Sequence, residues 1–299
     1  WLKARALSAA RPWYPCRGPA RAHDPMGRAA VRFGLAALCS LVPASATVVV
    51  TGAAGRTGSL LYKALVADKS LGPVRAVVRN LTQAKERLGC HACDEAEGIF
   101  VGDVTNASTL APAFKGADYL AIAVGVYGTE PVGVVKSVEW TGVKNQLQVF
   151  LSGGVEGKRV LLISTMGTTE PPASGSNDVM FYKLNAEAFI ESSGVAFSII
   201  KPCGLSNDPA GQRELMVGHD DAEPWFKEGF YMIPRADVAD IAAAALARPP
   251  SDAMRFDLCA KLPGSGPPAP SAALLKSALM PWQQGARGAV APAVDGFVV

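Results

Sequence analysis

Three glycines at regular spacing carry the clearest chemistry in this chain. In Thr47-Val48-Val49-Val50-Thr51-Gly52-Ala53-Ala54-Gly55-Arg56-Thr57-Gly58 they hold the first, fourth and seventh positions of a turn, after a β-branched run. Leu60, Leu61, Ala64 and Leu65 then recur at helical spacing. The pattern predicts a strand over 47–51 and a helix over 57–67, joined by the turn. Gly52 permits the tight turn, Gly55 clears the path of an approaching anion, and Gly58 lets helix and sheet come close. Amide donors at the helix mouth, around Ala54, Arg56 and Thr57, would face the diphosphate of a dinucleotide.

The end of the next strand indicates which dinucleotide. A preference for NAD usually puts Asp or Glu about 20 residues beyond the glycines, on the ribose hydroxyl. Here the strand ends Val77-Val78-Arg79-Asn80, and Arg56 lies inside the turn. A guanidinium pairs with a 2′-phosphate that a carboxylate would repel. NADP(H) is therefore expected ahead of NAD(H), with Arg79 the principal contact, although a solvent-facing strand terminus could carry the same residue. Asp103-Val104, after the third strand, is placed to meet the adenine edge, and Asp103 could equally cap a short helix. Gly125 would let the chain pass the adenosine ribose.

Cys90-His91-Ala92-Cys93 has redox or metal-ligand spacing, but no second pair completes a four-ligand zinc site, so it is read as a loop feature and no metal is expected. The six cysteines are scattered through a chain of 299 residues, long enough to fold without staples.

The elements that must position these residues alternate. Strands are expected at 47–51, 74–79, 98–101, 117–124, 160–164, 196–200 and 255–258. Helices are expected at 57–67, 81–88, 109–114, 131–150 with a weak middle at Gly142, 179–193, 237–247 and 271–279. Strands this apolar fit a parallel sheet covered on both faces. The alternation implies an α/β fold: a Rossmann-type doubly wound parallel sheet in three layers, with ligands beyond the strands' carboxyl ends.

Residues 1–46 carry seven basic side chains and one acid, whereas the remainder has 22 basic against 25 acidic residues. Basic character thus belongs to the leader, and nucleic-acid binding by the domain is not expected. From Met26, two arginines precede a brief apolar stretch ending Ala44-Ser45-Ala46, the form of a cleavable signal peptide; an organellar presequence or untranslated sequence before Met26 are the alternatives. That stretch is shorter than the about 20 residues of a membrane span, and no integral span is expected in the mature domain. The division expected is a leader at 1–46, a nucleotide-binding domain at 47–282 and a tail at 283–299.

The chain resembles the atypical, NmrA-like short-chain dehydrogenase/reductases, and most closely plant plastid NAD(P)-binding members. The resemblance runs over most of 47–279 and is carried by the glycine turn, Gly102-Asp103-Val104-Thr105, Trp140-Thr141-Gly142, Ser164-Thr165-Met166-Gly167, Lys183 with Ala186-Glu187, and Pro234-Arg235-Ala236-Asp237. It implies that Ser164 or Thr165 orients a substrate oxygen, that Lys183 holds the nicotinamide ribose or moves a proton, and that Pro202 and Gly204 lie near the nicotinamide. Asn145 would relay protons or brace the sheet, Asp237 would cap helix amides, and residues 205–229 would form a small C-terminal substrate-side region.

The family's tyrosine position is Val179, and Tyr182 sits immediately before Lys183, about 100° away from that lysine around the helix. Two functions follow: an NADP(H)-dependent oxidoreductase of unknown small-molecule substrate, or a non-catalytic redox sensor that associates with a protein complex. A plastid destination is expected, possible through a signal-peptide-bearing leader, with the secretory pathway or cytoplasm as alternatives.

Overall fold

A computed structural model describes residues 46–68, 70–126, 129–170, 178–222, 231–248, 253–280 and 283. The chain divides into two units, Trp1–Leu41 and Val42–Val299, and every described residue lies in the second. All but the last residue of the leader, and all but the first of the tail, therefore lie outside the described residues.

Strand β1 (Val48–Thr51) is buried at every position because its two faces feed different layers. Val48 and Val50 enter one apolar cluster, with Leu61 and Leu65 of α1 (Gly58–Ala67). Val49 enters the other, with Leu147 and Phe150. Strand alternation thus places the sheet between two helical layers.

The strands are parallel from β3 (Ile99–Val101) through β2 (Val74–Val78), β1, β4 (Tyr119–Ile122), β5 (Arg159–Ile163) and β6 (Ala196–Pro202) to β10 (Met254–Ala260). The order reverses between β1 and β4, the crevice where open sheets of this kind bind ligands.

Helix α2 (Leu81–Leu88) begins where Asn80 Oδ1 accepts from the Gln83 amide at 3.1 Å and ends at Gly89, with φ +75°. A 3₁₀ turn at Ala107–Thr109 and a short α3 (Ala111–Phe114) follow β3. Helix α4 (Val132–Val135) passes through a π-helical stretch, Lys136–Thr141, into α5 (Gly142–Phe150). The weak middle expected at Gly142 is thus a change of pitch: a Cβ there would stand 2.8 Å from Val104 Cγ2, so the missing side chain lets the helix lie on the loop after β3.

Helices α6 (Val179–Ser192), α7 (Arg235–Leu246) and α8 (Ser271–Ser277) complete the layers. Ala239, Ala242, Ala243 and Ala245 of α7 are buried, and small side chains let it pack closely on α1.

Of the region expected at 205–229, residues 223–229 lie outside the described residues. Strand β7 (Gly204–Ser206) pairs with β9 (Met232–Pro234) in a separate two-stranded sheet. Strand β8 (Leu215–Gly218) instead runs antiparallel to β10 and closes the main sheet as its eighth strand. Among the described residues, no helix is long and apolar enough to cross a membrane.

Candidate functional site

The glycine turn is built on close approach. Gly52 has φ +69°, and a Cβ there would lie 2.5 Å from the Ala123 carbonyl oxygen at the end of β4. A Cβ on Gly58 would lie 2.1 Å from the Gly52 carbonyl oxygen, and one on Gly55 2.9 Å from the same atom. The Gly55 amide donates to that oxygen at 2.8 Å. At the mouth of α1 the N-cap Thr57 makes no side-chain cap, and the amides of Thr57 and Gly58 find no acceptor among the described residues. A cradle closed to side chains, with donors left over at a helix start, fits a diphosphate.

A cleft of about 550 Å³ crosses the carboxyl edge of the sheet above this turn. Arg56, Arg79, Gln83 and Arg87 line it around the end of β2; Gly102, Val104, Gly125 and Val126 line its middle; Ser164, Thr165, Lys183, Pro202, Cys203, Gly204 and Arg235 line it around β5 and β6. The structure thus brings Gly52, Ala54, Gly55, Arg56, Thr57, Arg79, Val104, Gly125, Ser164, Thr165, Lys183, Pro202 and Gly204 to one cavity.

Two expected residues are elsewhere. Gly58 lies behind the turn, in keeping with a packing role. Asp103 is not on the cleft wall: its carboxylate accepts from the Thr105 amide at 2.9 Å and hydroxyl at 2.8 Å, closing its own turn. Nor does it cap the next helical turn, where Asn106 accepts from the Ser108 amide.

The polar side chains are tied in pairs. Lys183 Nζ donates to Glu139 Oε2 at 2.8 Å, and Glu139 Oε1 accepts from the Val126 amide at 2.9 Å. Glu139 is buried in the π stretch, and both groups abut Gly125. Such a local change of helix pitch is frequent at functional sites, and here it faces a carboxylate toward a lysine 44 residues away.

Ser164 donates its hydroxyl proton to Glu187, which also accepts from Arg255 Nε at 2.9 Å. Burial would lower the Arg255 pKa, but Glu187, Asp220 and Glu191 together raise it, so the guanidinium stays charged. With its proton committed inward, Ser164 remains an acceptor toward the cleft.

Asn145 Nδ2 donates to the Val104 carbonyl at 2.9 Å, a brace to the loop after β3. Arg235 donates to Asn207 Oδ1 at 2.7 Å. Asp237, expected to cap its own helix, accepts from the Gly211 amide at 2.8 Å instead, because α7 already begins at Arg235. Burial raises the Asp237 pKa, and that amide offsets part of the rise. Val179 opens α6, and Tyr182 packs edge-on against Phe181.

Sequence reasoning missed Gln83, Arg87 and Glu139. The first two stand one helical turn apart on α2, a spacing the sequence displays. Glu139 could have been flagged as a carboxylate inside an apolar helix run. The cysteines were read as scattered, but Cys90 pairs with Cys93, and Cys203 with Cys259, in disulfides.

A family model described as NAD(P)H-binding matches residues 52–249. An uncharacterized chloroplastic protein of Arabidopsis thaliana is 32% identical over 243 residues, covering 74% of this chain and 72% of that protein. Sanguinarine reductase of Eschscholzia californica is 31% identical over 258 residues, covering 74% of this chain and 91% of the reductase. In fold, a solved Bacillus halodurans protein assigned as an NAD-dependent epimerase/dehydratase superposes with a TM-score of 0.61 at 22% identity, over 78% of this chain and 100% of that one. With a mostly parallel, Rossmann-like sheet, a glycine cradle for a diphosphate and a family match over most of its length, the chain belongs to the NAD(P)H-binding family.

Proposed function

We propose that this chain binds NADP(H) in preference to NAD(H) and uses it to reduce a small molecule. One observation carries the reading: the cleft is lined by the basic side chains Arg56, Arg79, Arg87, Lys183 and Arg235, and by no carboxylate among the described residues. Such a lining suits a cofactor with an extra phosphate and disfavours the ribose-binding acid of NAD enzymes. Amides at the start of α1 would hold the diphosphate, Arg79 with Arg87 the 2′-phosphate, and Lys183 with Pro202 and Gly204 the nicotinamide end.

Bound NADPH supplies a hydride, so the protein's own task is to orient an acceptor and manage a proton. Ser164 and Thr165 would fix the acceptor, and Lys183, steadied by Glu139, would hold the proton. The name of the sanguinarine reductase relative supports the direction of reduction. The chloroplastic Arabidopsis relative supports a plastid location, with residues 1–46 as the targeting segment.

The test is a fluorescence titration of NADPH and NADH, followed by a screen of quinones, small carbonyls and sanguinarine for NADPH consumption. NADPH should bind about tenfold or more tightly than NADH, the effect of one charge-assisted contact. Equal binding of the two would overturn the preference.

A second reading is favoured by a specific feature. Val179 replaces the family tyrosine, and Ser164 and Lys183 already have carboxylate partners, which suits a redox-state sensor that binds a partner protein. Tight NADPH binding with no consumption on any acceptor would select it.

A further inference from the structure

We propose that Cys203 and Cys259 form a thiol–disulfide exchange site in the wall of the cofactor cleft, open to a dithiol reductant only while nucleotide is absent. The gating rests on the nucleotide reading above; the exchange does not.

The pair lies at the carboxyl ends of neighbouring parallel strands. Pro202 of β6 stands opposite Leu258 of β10, and the Cys203 amide donates to the Leu258 carbonyl at 3.0 Å. Backbone pairing already fixes the two strands over five registered positions, so the bridge is not needed to hold them together. Its two sulfurs differ in access. Cys203 is partly exposed and lines the cleft, whereas Cys259 is fully buried. A reductant from solvent therefore meets only Cys203.

The position is also a ligand position. Cys203 is flanked by Pro202 and Gly204, which line the same cleft end beside Ser164, Thr165 and Lys183. A dinucleotide lying from Arg79 across the glycine turn to Lys183 would cover that wall. The second disulfide, Cys90–Cys93, is differently placed: it follows α2, Glu97 accepts from the amides of His91, Ala92 and Cys93, and neither cysteine lines the cleft.

The exchange balances with a dithiol. A reductant thiolate attacks Cys203 Sγ, forming a mixed disulfide and expelling the Cys259 thiolate, which takes a proton. The reductant's second thiol then attacks its own sulfur in the mixed disulfide, releases Cys203 as a thiol and leaves as a cyclic disulfide. Two electrons pass from dithiol to protein and none from the nucleotide.

The experiment treats the native full chain with dithiothreitol, quenches with N-ethylmaleimide and measures labelling of each cysteine by peptide mass spectrometry. Three arms are compared: no nucleotide, NADP⁺, and adenosine 2′,5′-bisphosphate, with binding of each measured separately. Cys203 should become labelled without denaturant in the first arm, and Cys259, released but buried, only once the quenched protein is unfolded. NADP⁺ at about ten times its Kd should slow this about tenfold, the fraction of free cleft. The bisphosphate, which lacks the nicotinamide half, should leave the rate within about twofold, and Cys90–Cys93 should ignore both ligands to the same extent.

A Cys259→Ala variant should keep a maleimide-reactive Cys203, while Cys203→Ala should leave Cys259 unreactive until unfolding. No labelling in the first arm overturns the exchange site. NADP⁺ that binds without slowing the reaction overturns the gating alone. NADP⁺ that fails to bind overturns the gating together with the functional reading beneath it.

Discussion

Lys201 shows what a single residue can hold together. Its ammonium is fully buried, 2.8 Å from Asp221 Oδ2 and 3.1 Å from Asp257 Oδ1. One cation against two carboxylates leaves an excess negative charge, and the acids divide it. Burial raises the Asp257 pKa, with Lys201 opposing. Burial also pushes Asp221 up, but Lys201, the Thr169 hydroxyl and the amides of Gly167 and Thr169 outweigh it, so its pKa falls below normal. The signs are opposite in linkage. Asp257 contributes stability below the unfolded carboxylate pKa, about 3.9, that is lost as pH rises through its raised folded value; Asp221 contributes above that point and loses it as pH falls. Asp257→Asn should therefore change stability at pH 7 by less than about 1 kcal/mol, whereas Asp221→Asn, which gives up amide partners, should cost about 2–3 kcal/mol. Urea unfolding at neutral pH separates them. At the cleft, Arg79→Ala should raise the Kd for NADPH about tenfold or more and that for NADH by less than about twofold, read by nucleotide fluorescence. Arg79 was legible because it ends a strand a fixed distance beyond the glycines. Arg255 was not, because its meeting with Glu187 spans 68 residues and no local pattern records it.

Elements were legible where their signals are local. Helix α2 occupies Leu81–Leu88 as the sequence predicts, since Asn80 starts it and Gly89 stops it within one turn at each end. Strand β8 escaped because it is short and pairs with β10, about 40 residues later, and the π stretch escaped because its hydrogen bonds shift without any change in apolar spacing. That stretch makes Glu139→Gln informative: Gln retains an oxygen for the Val126 amide but gives up the ion pair, so melting should shift little while Lys183 loosens. NADPH affinity should fall several-fold, about 1 kcal/mol, with melting by circular dichroism as the control. The strand-to-helix junction is less forgiving. Gly58→Ala places a methyl 2.1 Å from a carbonyl and should cost about 1–3 kcal/mol and most of the nucleotide affinity. Thermal unfolding with and without NADPH reads both effects.

At the scale of the molecule, charge is distributed against its sum. Residues beyond the leader carry 22 basic against 25 acidic side chains, yet the described cleft lining holds only basic charges. Attraction of an anionic nucleotide must then be local, so its Kd should weaken steadily as salt rises from about 0.05 to 0.5 M, as screening lengths shorten past the cleft's dimensions. The fold class was readable from alternation alone; what alternation could not reveal was how closely the layers approach. Helix α7, in which Ala239, Ala242 and Ala245 are all essentially inaccessible, packs on α1, and α1 begins at the glycine turn that lines the cleft. Buried methyl groups of the helix packed on α1 thereby back the anion cradle. Enlarging one of them, as in Ala242→Val, would touch no ligand yet push α1 toward its own glycines, so affinity for the cofactor can be retuned from a position no nucleotide ever reaches.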